Sequence, residues 1–262
     1  MIYIITVNYK QEKFLNKIIS IVNNRQDTVL VVVDNSKSTS KISQLKNIEC
    51  IIPDKNIGYL SGLSLGIEQT QIEANDIIVL CNPDITFNNN FLDELNNLNH
   101  FNDNDLIAPS IINSNQNNQN PNRIKSFSRI EILFYDIEFY SFFSFIIIRY
   151  LKRIIKKVFS LFRISNKSSF SKSSYEIFLP HGSCMILKGA FFEKKPYFDY
   201  DVFLWGEEAI IADKVRKKGG KVIFQPNLKV EHINHTAVKS INNYKKYKIW
   251  KESYKVYREL LF

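Results

Sequence analysis

The chain has 262 residues, of which 45% are hydrophobic and 13% are aromatic. That length and composition are typical of one large globular domain, or of a domain with an appendage, and the mean hydropathy of -0.18 argues against a polytopic membrane protein. Most of the net charge of +9 lies between Phe139 and Tyr175, where eight residues are basic and none is acidic. Because these charges alternate with Ile and Phe rather than with polar base-reading residues, no nucleic-acid partner is expected.

The cysteines and the N-terminus bear on the compartment. Cys50, Cys81 and Cys184 are odd in number, far apart and without metal-ligand spacing, which predicts free thiols in a reduced setting. Met1 runs directly into a strand-like apolar segment, so no signal peptide is expected. The sequence therefore favours a cytoplasmic protein.

The first hundred residues alternate strand and helix patterns. Apolar runs and amphipathic stretches predict four strands and three helices: strands at 2–7, 28–33, 49–52 and 76–80, and helices at 12–23, 58–69 and 90–98. Buried strands that alternate with helices indicate an α/β fold with a doubly wound, mostly parallel sheet. The segment has no Gly-x-Gly-x-x-Gly and no Walker sequence, which argues against an ordinary dinucleotide site and a P-loop.

A polar low-complexity loop at 113–122 begins an insertion. Within it, the apolar aromatic run 139–148 is too short to cross a bilayer. The next residues have an amphipathic helix pattern with an apolar side and a basic side: Ile148, Leu151, Ile155, Val158 and Phe162 against Arg149, Lys152, Arg153 and Lys156. Two interpretations stay open, a helix on an anionic membrane surface and a lid helix packed on the protein's own core.

From residue 176 the globular pattern resumes. It predicts strands at 177–179, 184–187 and 221–225, an extended segment at 230–232 and a helix at 207–217. The C-terminal stretch carries large apolar residues at spacings of three and four: Tyr247, Trp250, Tyr254, Tyr257 and Leu261. This spacing predicts an amphipathic helix, most simply one docked on the protein.

Polar residues follow the ends of the predicted parallel strands. They occur in Thr6-Val7-Asn8-Tyr9, Val33-Asp34-Asn35-Ser36 and Asn82-Pro83-Asp84, and Trp205-Gly206-Glu207-Glu208 opens a later helix. The carboxyl ends of parallel strands meet at one rim, where open α/β sheets bind ligands. A carboxylate such as Asp84 can there hold a divalent cation shared with substrate phosphates; an ordinary Asn-Pro-Asp turn is the alternative.

In order and spacing these motifs closely resemble the inverting family-2 glycosyltransferases of the GT-A fold, especially the rhamnosyltransferase-like branch that builds bacterial surface polysaccharides. The resemblance covers residues 1–110 and 177–235, with the insertion and the C-terminal helix outside it. It implies a GT-A α/β fold, a nucleoside-diphosphate sugar donor and Mg²⁺ or Mn²⁺ as cofactor.

The resemblance also implies site residues. The donor would be bound by Thr6, Asn8, Asp34, Asn56, Gly58 and Asn82, and the metal by Asp84 and His232, with His235 close to the latter. Glu208 would be the general base, with Glu207 as the reserve candidate. His181, Gly182 and Trp205 adjoin these groups and are expected on the acceptor side. The structural alternatives are a turn former for Asp34, a structural histidine for His232 and two acids that favour a helix N-terminus for Glu207 and Glu208.

The resulting prediction is an inverting transfer from dTDP-rhamnose or a UDP-hexose to a lipid-linked oligosaccharide, in capsule, O-antigen or cell-wall polysaccharide synthesis. The enzyme would be peripheral on the inner face of the cell membrane. A sugar nucleotidyltransferase and a non-catalytic membrane-surface scaffold are the alternatives. The predicted organisation is a nucleotide-sugar-binding half at 1–112, the insertion at 113–175, an acceptor and catalytic half at 176–238 and the C-terminal helix at 239–262.

Overall fold

The computed structural model describes residues 1–38, 45–98, 101–162, 173–195, 197–198, 203–233 and 242–261. Nine strands lie in this part of the chain: β1 Ile2–Asn8, β2 Thr28–Asp34, β3 Ile48–Ile51, β4 Ile77–Cys81, β5 Ile85–Phe87, β6 Leu106–Asn113, β7 Tyr175–Glu176, β8 Cys184–Lys188 and β9 Val222–His232. The α-helices described there are α1 Glu12–Val22, α2 Tyr59–Gln69, α3 Phe91–Asn96, α4 Arg129–Tyr140, α5 Phe142–Phe162, α6 Glu207–Lys217 and α7 Asn243–Leu261.

The described strands form one mixed sheet in the order β3-β2-β1-β4-β8-β6-β9-β5, with β7 paired to β9. β3, β2, β1 and β4 are mutually parallel, and β6 runs parallel to β9. Antiparallel pairing begins where β8 lies between β4 and β6. The predicted α/β architecture with a mostly parallel sheet is confirmed.

Helices cover both faces of the sheet because apolar residues on adjacent strand positions point in opposite directions. Ile4 and Leu30 belong to a core with Leu15 of α1 and with α3. Ile5 and Val31 belong to the opposite core, with α2 and α6. The two cores make the sheet doubly wound, and they fix the carboxyl ends of β1, β2 and β4 at one edge.

Several predicted elements differ from the observed ones. The strand predicted at 177–179 is absent there: β7 ends at Glu176, and Leu179 makes only an isolated bridge to Arg123. The segments predicted at 221–225 and 230–232 are one strand, β9, whose register against β6 shifts beyond Gln225. Pro226 lacks the N–H that a ladder needs, which explains why the sequence pattern is interrupted there.

The sequence analysis did not predict β5, β6 or α4. β5 has only three residues, and its polar flanks conceal it. α4 begins with a capping box in which Ser128 and Glu131 satisfy each other's backbone N–H groups. Its apolar residues face solvent as well as the protein, so they give no single amphipathic stripe.

α4 and α5 form a helical hairpin against α7, where Phe139, Phe145 and Tyr247 make a small separate core. The predicted apolar side of α5 does not pack on this core, because Leu151 is 49% exposed and Ile155 is 54% exposed. Packing of the predicted apolar side is therefore not found at these two residues, and the choice between the lid and the membrane interpretation stays a prediction. The side chains of Val158 and Phe162, together with His235, lie outside the described ones.

The opposite side of α5, predicted to be basic, partly faces the protein. The Arg149 guanidinium lies 4.1 Å from the ring centre of Trp250, and Lys152 forms an ion pair with buried Glu138. Large apolar side chains are instead exposed on both hairpin helices, together with Lys152, Arg153 and Lys157 on α5. We call this the outer apolar face, consisting of Ile130, Leu133, Phe134, Ile137, Phe143, Ile146, Ile147, Tyr150, Leu151, Ile154 and Ile155.

No helix in the described ranges combines the length and the apolar character needed to cross a bilayer.

Candidate active site

The ends of β1 and β2 lie side by side, because the two strands are parallel and Asn8 pairs with Asp34. The Asn8 side-chain amide donates to Asp34 Oδ1 at 3.0 Å. Ser36 donates to the same oxygen through its backbone N–H at 2.9 Å and its hydroxyl at 2.6 Å. Asp34 is fully buried and shapes the turn after β2, as its structural alternative predicted. Its donor contact stays a prediction.

Thr6 lies deeper in β1 than the rim. It is fully buried, and its hydroxyl has no hydrogen-bond partner among the described residues. The Thr6 side chain therefore has no contact with solvent, although β1 ends only two residues later. A direct contact of Thr6 with a nucleoside remains a prediction.

The Asn56–Gly58 segment is attached to the end of β2. The Asn35 amide donates to the Gly58 carbonyl at 3.0 Å and accepts from the Ile57 N–H at 3.3 Å. Asn56 in turn accepts from the Gly58 N–H. Gly58 has φ +85°, and an added Cβ would lie 2.8 Å from the Phe203 carbonyl oxygen. This position requires glycine for conformation and for space.

Asp84 and His232 meet at the far side of the rim. Asp84 follows β4, and the antiparallel pairing of Ile85 with His232 brings the end of β9 beside it. His232 Nε2 lies 3.2 Å from Asp84 Oδ1, and both side chains are buried. Gln119 Oε1 lies 2.8 Å from His232 Nδ1. With Gln119 beside Nδ1, the ring is held so that Nε2 points at the Asp84 carboxylate, the orientation of histidines that bind metals.

The segment His181–Ser183 lies next to this pair. Its position is fixed by Asn120, which accepts from the His181 N–H at 2.7 Å, and by the Asn82 N–H, which donates to the Ser183 carbonyl at 2.9 Å. The rings of His181 and His232 are 5.8 Å apart. Burial, with a smaller effect of His232, lowers the pKa of His181 to about 4. His181 is therefore neutral at physiological pH.

Glu207 and Glu208 form the first turn of α6. Trp205 and Gly206 before them both have left-handed backbone conformations, with φ +63° and +104°. That conformation is uncommon for a bulky residue such as Trp and marks a constrained approach to the helix. The constraint turns both carboxylates toward His181–Ser183 instead of the solvent around the helix end.

The two carboxylates differ in their environment. The Tyr257 hydroxyl of α7 donates to Glu208 Oε1 at 2.6 Å. Burial and the nearby charge of Glu208 raise the pKa of Glu207 to about 8. Burial also raises the pKa of Glu208, but the hydrogen bond from Tyr257 opposes that shift. The pKa of about 8 keeps Glu207 protonated at neutral pH, and the hydrogen bond from Tyr257 favours the ionised form at Glu208.

Gly182 lies between the Asp84–His232 pair and the carboxylates of Glu207 and Glu208. A Cβ at Gly182 would lie 2.7 Å from Glu207 Oε1 and 3.3 Å from Glu208 Oε2, so the absence of a side chain leaves room for both acids. His181, one residue earlier, contacts His232. Of the predicted acceptor-side residues, His181 and Gly182 thus lie between the Asp84–His232 pair and the two glutamates. Trp205 packs edge-to-face on Trp250 of α7, with ring centres 4.7 Å apart.

Tyr59 is a further candidate site residue, which the sequence analysis did not single out. Its hydroxyl is buried without a hydrogen-bond partner among the described residues. Burial raises its pKa well above the usual value, and the charge of Glu207 adds to the effect. Its position directly after Gly58, at the start of α2, was the available sequence signal.

The residues at Asp84 fit a cation that is shared with a substrate. Asp84 supplies a buried carboxylate oxygen, and His232 supplies a ring nitrogen held in orientation by Gln119. No group of three or more His, Cys, Asp or Glu that could hold a metal by itself is found in the described part of the chain. Mg²⁺ sites commonly have one or two carboxylates and complete their shell with water and substrate phosphates.

Comparison with known proteins gives the family. Residues 2–176 match glycosyl transferase family 2. The low-salt glycan biosynthesis hexosyltransferase Agl10 of Haloferax volcanii is 32% identical over 114 residues, which are 42% of this chain and 36% of that protein. The chain therefore matches only about a third of this relative's length.

Two solved structures share the fold. GalNAc-T7 with UDP, GalNAc and Mn²⁺ has a TM-score of 0.57 and 13% identity over 90% of this chain and 44% of that one. S. aureus TarS 1-349 in complex with UDP-GlcNAc has a TM-score of 0.52 and 12% identity over 92% and 61%. At these identities the similarity establishes the GT-A fold alone. With a family match over more than half of its residues, this chain belongs to glycosyl transferase family 2.

Proposed function

We propose that the chain is an inverting, metal-dependent hexosyltransferase that uses a nucleoside-diphosphate sugar. The observation that carries this proposal is the arrangement around His181–Ser183, with Asp84 and His232 on one side and the two acids of α6 on the other. One side suits a diphosphate and its cation. The other side suits a hydroxyl that must lose a proton.

The role we assign to Glu208 is that of general base. The acceptor hydroxyl gives its proton to Glu208 while its oxygen forms a bond to the anomeric carbon, and the bond from that carbon to the diphosphate breaks on the opposite face. The hydrogen bond from Tyr257 favours the ionised form of Glu208 and orients it. A divalent cation, when bound, neutralises charge on the departing diphosphate.

The donor proposal rests on the family and on the relatives' ligands. The TarS structure contains UDP-GlcNAc, and the Haloferax relative is named a hexosyltransferase. A UDP-hexose is accordingly the first donor to test, and dTDP-rhamnose is the second, because the motifs resemble the rhamnosyltransferase-like branch. The base and ribose would lie along the ends of β1 and β2, beside Asn8 and the Asn56–Gly58 segment.

The acceptor we propose is a lipid-linked saccharide at the cytoplasmic membrane surface, used in surface polysaccharide synthesis. The support is the outer apolar face, where large apolar side chains of α4 and α5 are exposed. Residues 139–162 add five basic residues and no acid, which suits an anionic lipid surface: Arg149, Lys152, Arg153, Lys156 and Lys157. Apolar surface of this extent is unusual on a protein surrounded only by water.

A donor panel tests the proposal. UDP-glucose, UDP-galactose, UDP-GlcNAc and dTDP-rhamnose are each added in excess to the purified protein, with Mn²⁺ or with EDTA, and the melting temperature is measured. One donor should raise it by about 5 °C or more with Mn²⁺, because a ligand at 100 times its Kd stabilises the folded state by about 2.7 kcal/mol.

The shift should disappear in EDTA and in Asp84→Asn, and should persist in Asp103→Asn, a surface control whose partner is Lys188. An equal shift in EDTA would contradict metal dependence. The absence of a shift with every donor, together with no hydrolysis of any of them, would contradict the proposed function.

A further inference from the structure

The Asn- and Gln-rich loop after β6 is ordered by its own side chains. Asn113 Oδ1 accepts from the backbone N–H groups of Asn115 and Asn117, both at 3.0 Å. Asn118 Oδ1 accepts from the N–H of Ile111 in β6 at 2.9 Å. Side-chain amides that bond to nearby backbone groups in this way fix a turn. A segment whose composition predicts only a polar loop therefore has a defined shape.

The loop places the Gln119 side chain on His232. The Gln119 N–H donates to the Ile111 carbonyl at 2.8 Å, which fixes its main chain against β6. β6 is paired with β9 in a register that sets Asn113 opposite His232. Gln119 Oε1 lies 2.8 Å from His232 Nδ1. The contact therefore joins two residues whose main chains are both held by the sheet.

Asn120, the next residue, supports the same site. It is buried, its amide nitrogen donates to the Pro109 carbonyl at 2.8 Å, and its oxygen accepts from the His181 N–H at 2.7 Å. Two adjacent amides thus each contact one of the two histidines, whose rings are 5.8 Å apart. The loop is therefore part of the site as well as a connection between elements.

Both ring nitrogens of His232 face an oxygen atom. Nδ1 faces Gln119 Oε1 at 2.8 Å, and Nε2 faces Asp84 Oδ1 at 3.2 Å. A neutral imidazole carries one N–H, so it can donate to only one of the two oxygens. A proton on Nδ1 satisfies the amide and leaves the Nε2 lone pair beside the carboxylate, where the two atoms together suit a divalent cation. A proton on Nε2 would block that use.

We propose that Gln119 is a positioning residue that selects the Nδ1–H tautomer of His232 and thereby sets the affinity of the cation site, an inference that rests on the metal-dependent transfer proposed above. Histidines that bind metals commonly donate their other ring N–H to an oxygen, and loss of that partner weakens metal binding by about 10- to 100-fold. A neutral amide polarises the ring less than a carboxylate does. His232 is then a moderate ligand, suited to a cation that arrives with substrate phosphates.

The affinity for Mn²⁺ tests this role. Binding of Mn²⁺ to the purified protein is followed by electron paramagnetic resonance, with and without UDP as a soluble diphosphate. Gln119→Leu, which removes the oxygen at nearly constant volume, should weaken binding by about tenfold or more. Gln119→Glu keeps an acceptor oxygen at the same place and should bind Mn²⁺ at least as tightly as the wild type. Gln116→Leu, the same change at an exposed glutamine of the loop, is the matched control and should have no effect.

The tautomer is measured directly in the metal-free protein. The ¹⁵N NMR shifts of an imidazole distinguish the nitrogen that carries hydrogen from the one with the lone pair, and His232→Ala assigns the signal among the four histidines of the sequence. At mildly alkaline pH, where an ordinary imidazole is neutral, wild type and Gln119→Glu should show hydrogen on Nδ1. Gln119→Leu should move the hydrogen of His232 toward Nε2, because Asp84 Oδ1 then offers the acceptor.

The outcomes separate the role of Gln119 from the proposed function. Hydrogen on Nε2 in the wild type, or the same tautomer in wild type and Gln119→Leu, would overturn the role of Gln119 and leave the proposed transfer untouched. Mn²⁺ binding that is equal in these two proteins, or as weak in Gln119→Glu as in Gln119→Leu, would overturn it as well. Absence of Mn²⁺ binding by a wild type that has hydrogen on Nδ1 would remove the cation role together with the metal dependence of the proposed function. Circular dichroism checks that each variant folds.

Discussion

At the scale of single residues, adjacent glutamates occupy different environments. Glu208 accepts a hydrogen bond from Tyr257, and Glu207 Oε1 occupies the space where a side chain at Gly182 would stand. Two carboxylates that lie this close cannot both ionise easily, so their pKa values separate. Glu207, with its pKa near 8, is the acid that holds its proton, and Glu208 is the one whose ionised form a hydrogen bond stabilises.

Substitution by glutamine tests this assignment. Glu208→Gln should lower the rate of transfer by about 10²-fold or more, the effect of losing a general base, and should leave donor affinity near wild type. Glu207→Gln should have a smaller effect on kcat. Tyr257→Phe removes the hydrogen bond that lowers the pKa of Glu208, so this pKa should rise. The acidic limb of the pH–rate profile should then move to higher pH. The assignment is wrong if Glu207→Gln abolishes transfer and Glu208→Gln does not.

Single residues also show how far the sequence could predict the site. The place of Asp84 at the rim of the sheet was predictable because it directly follows a buried strand. The composition of residues 113–122 predicts only a polar low-complexity loop, yet Gln119 and Asn120 hold His232 and His181 in position. Nothing in a run of Asn and Gln indicates which amide will meet which histidine. Such partners are set by the register of β6 and β9, which is a tertiary property.

At the scale of elements, the α4–α5 hairpin exposes large apolar side chains and turns two basic side chains toward the protein. Arg149 and Lys152 turn toward α7 and α4, and the large apolar side chains face outward. Helical periodicity predicted two sides for α5 but could not say which side packs. The aromatic residues of α7 determine which side packs, because the Trp250 ring binds the Arg149 guanidinium on its face.

Lipid vesicles test the outer apolar face. The protein should sediment with vesicles of phosphatidylcholine and phosphatidylglycerol, and less so at high salt. Phe143→Gln, Ile147→Gln, Leu151→Gln and Ile154→Gln together should weaken this binding by about 10²-fold or more, because each large side chain contributes about 1.5 kcal/mol or more when buried. Hydrolysis of a soluble donor should change little.

The matched control is Leu45→Gln with Ile52→Gln, two exposed apolar positions outside the hairpin. It should bind vesicles as the wild type does. If vesicles are not bound, and sedimentation velocity instead shows a dimer that the four hairpin changes dissociate, the face joins two copies of the chain and the membrane proposal falls.

At the scale of the whole molecule, the half-buried Glu207 of α6 links stability to pH. The pKa of Glu207 is raised to about 8 in the folded protein and has its ordinary value near 4.5 when unfolded. The folded state therefore holds the proton more tightly between these values. This contribution to stability is complete below about pH 4.5 and is lost as pH rises through about 8.

Glu207→Gln removes that dependence, because an amide does not titrate. Urea unfolding should show the variant to be more stable than wild type at pH 9, by a margin on the order of a few kcal/mol, and should show a smaller advantage or none at pH 5.5. Glu193→Gln, an exposed change, should have the same small effect at both values. An equal difference at both pH values in Glu207→Gln would refute the linkage.

The pairing of Asp84 with His232 has a consequence for synthesis of the protein on the ribosome. The two residues come from opposite halves of the chain, and they meet only when β9 has joined β5 and β6. The nascent chain thus passes through most of its translation with Asp84 lacking its histidine. A fragment that ends at residue 176, where the family match ends, would contain neither His232 nor the acids of α6. Such a fragment should not show metal-dependent donor binding, however well its parallel strands assemble.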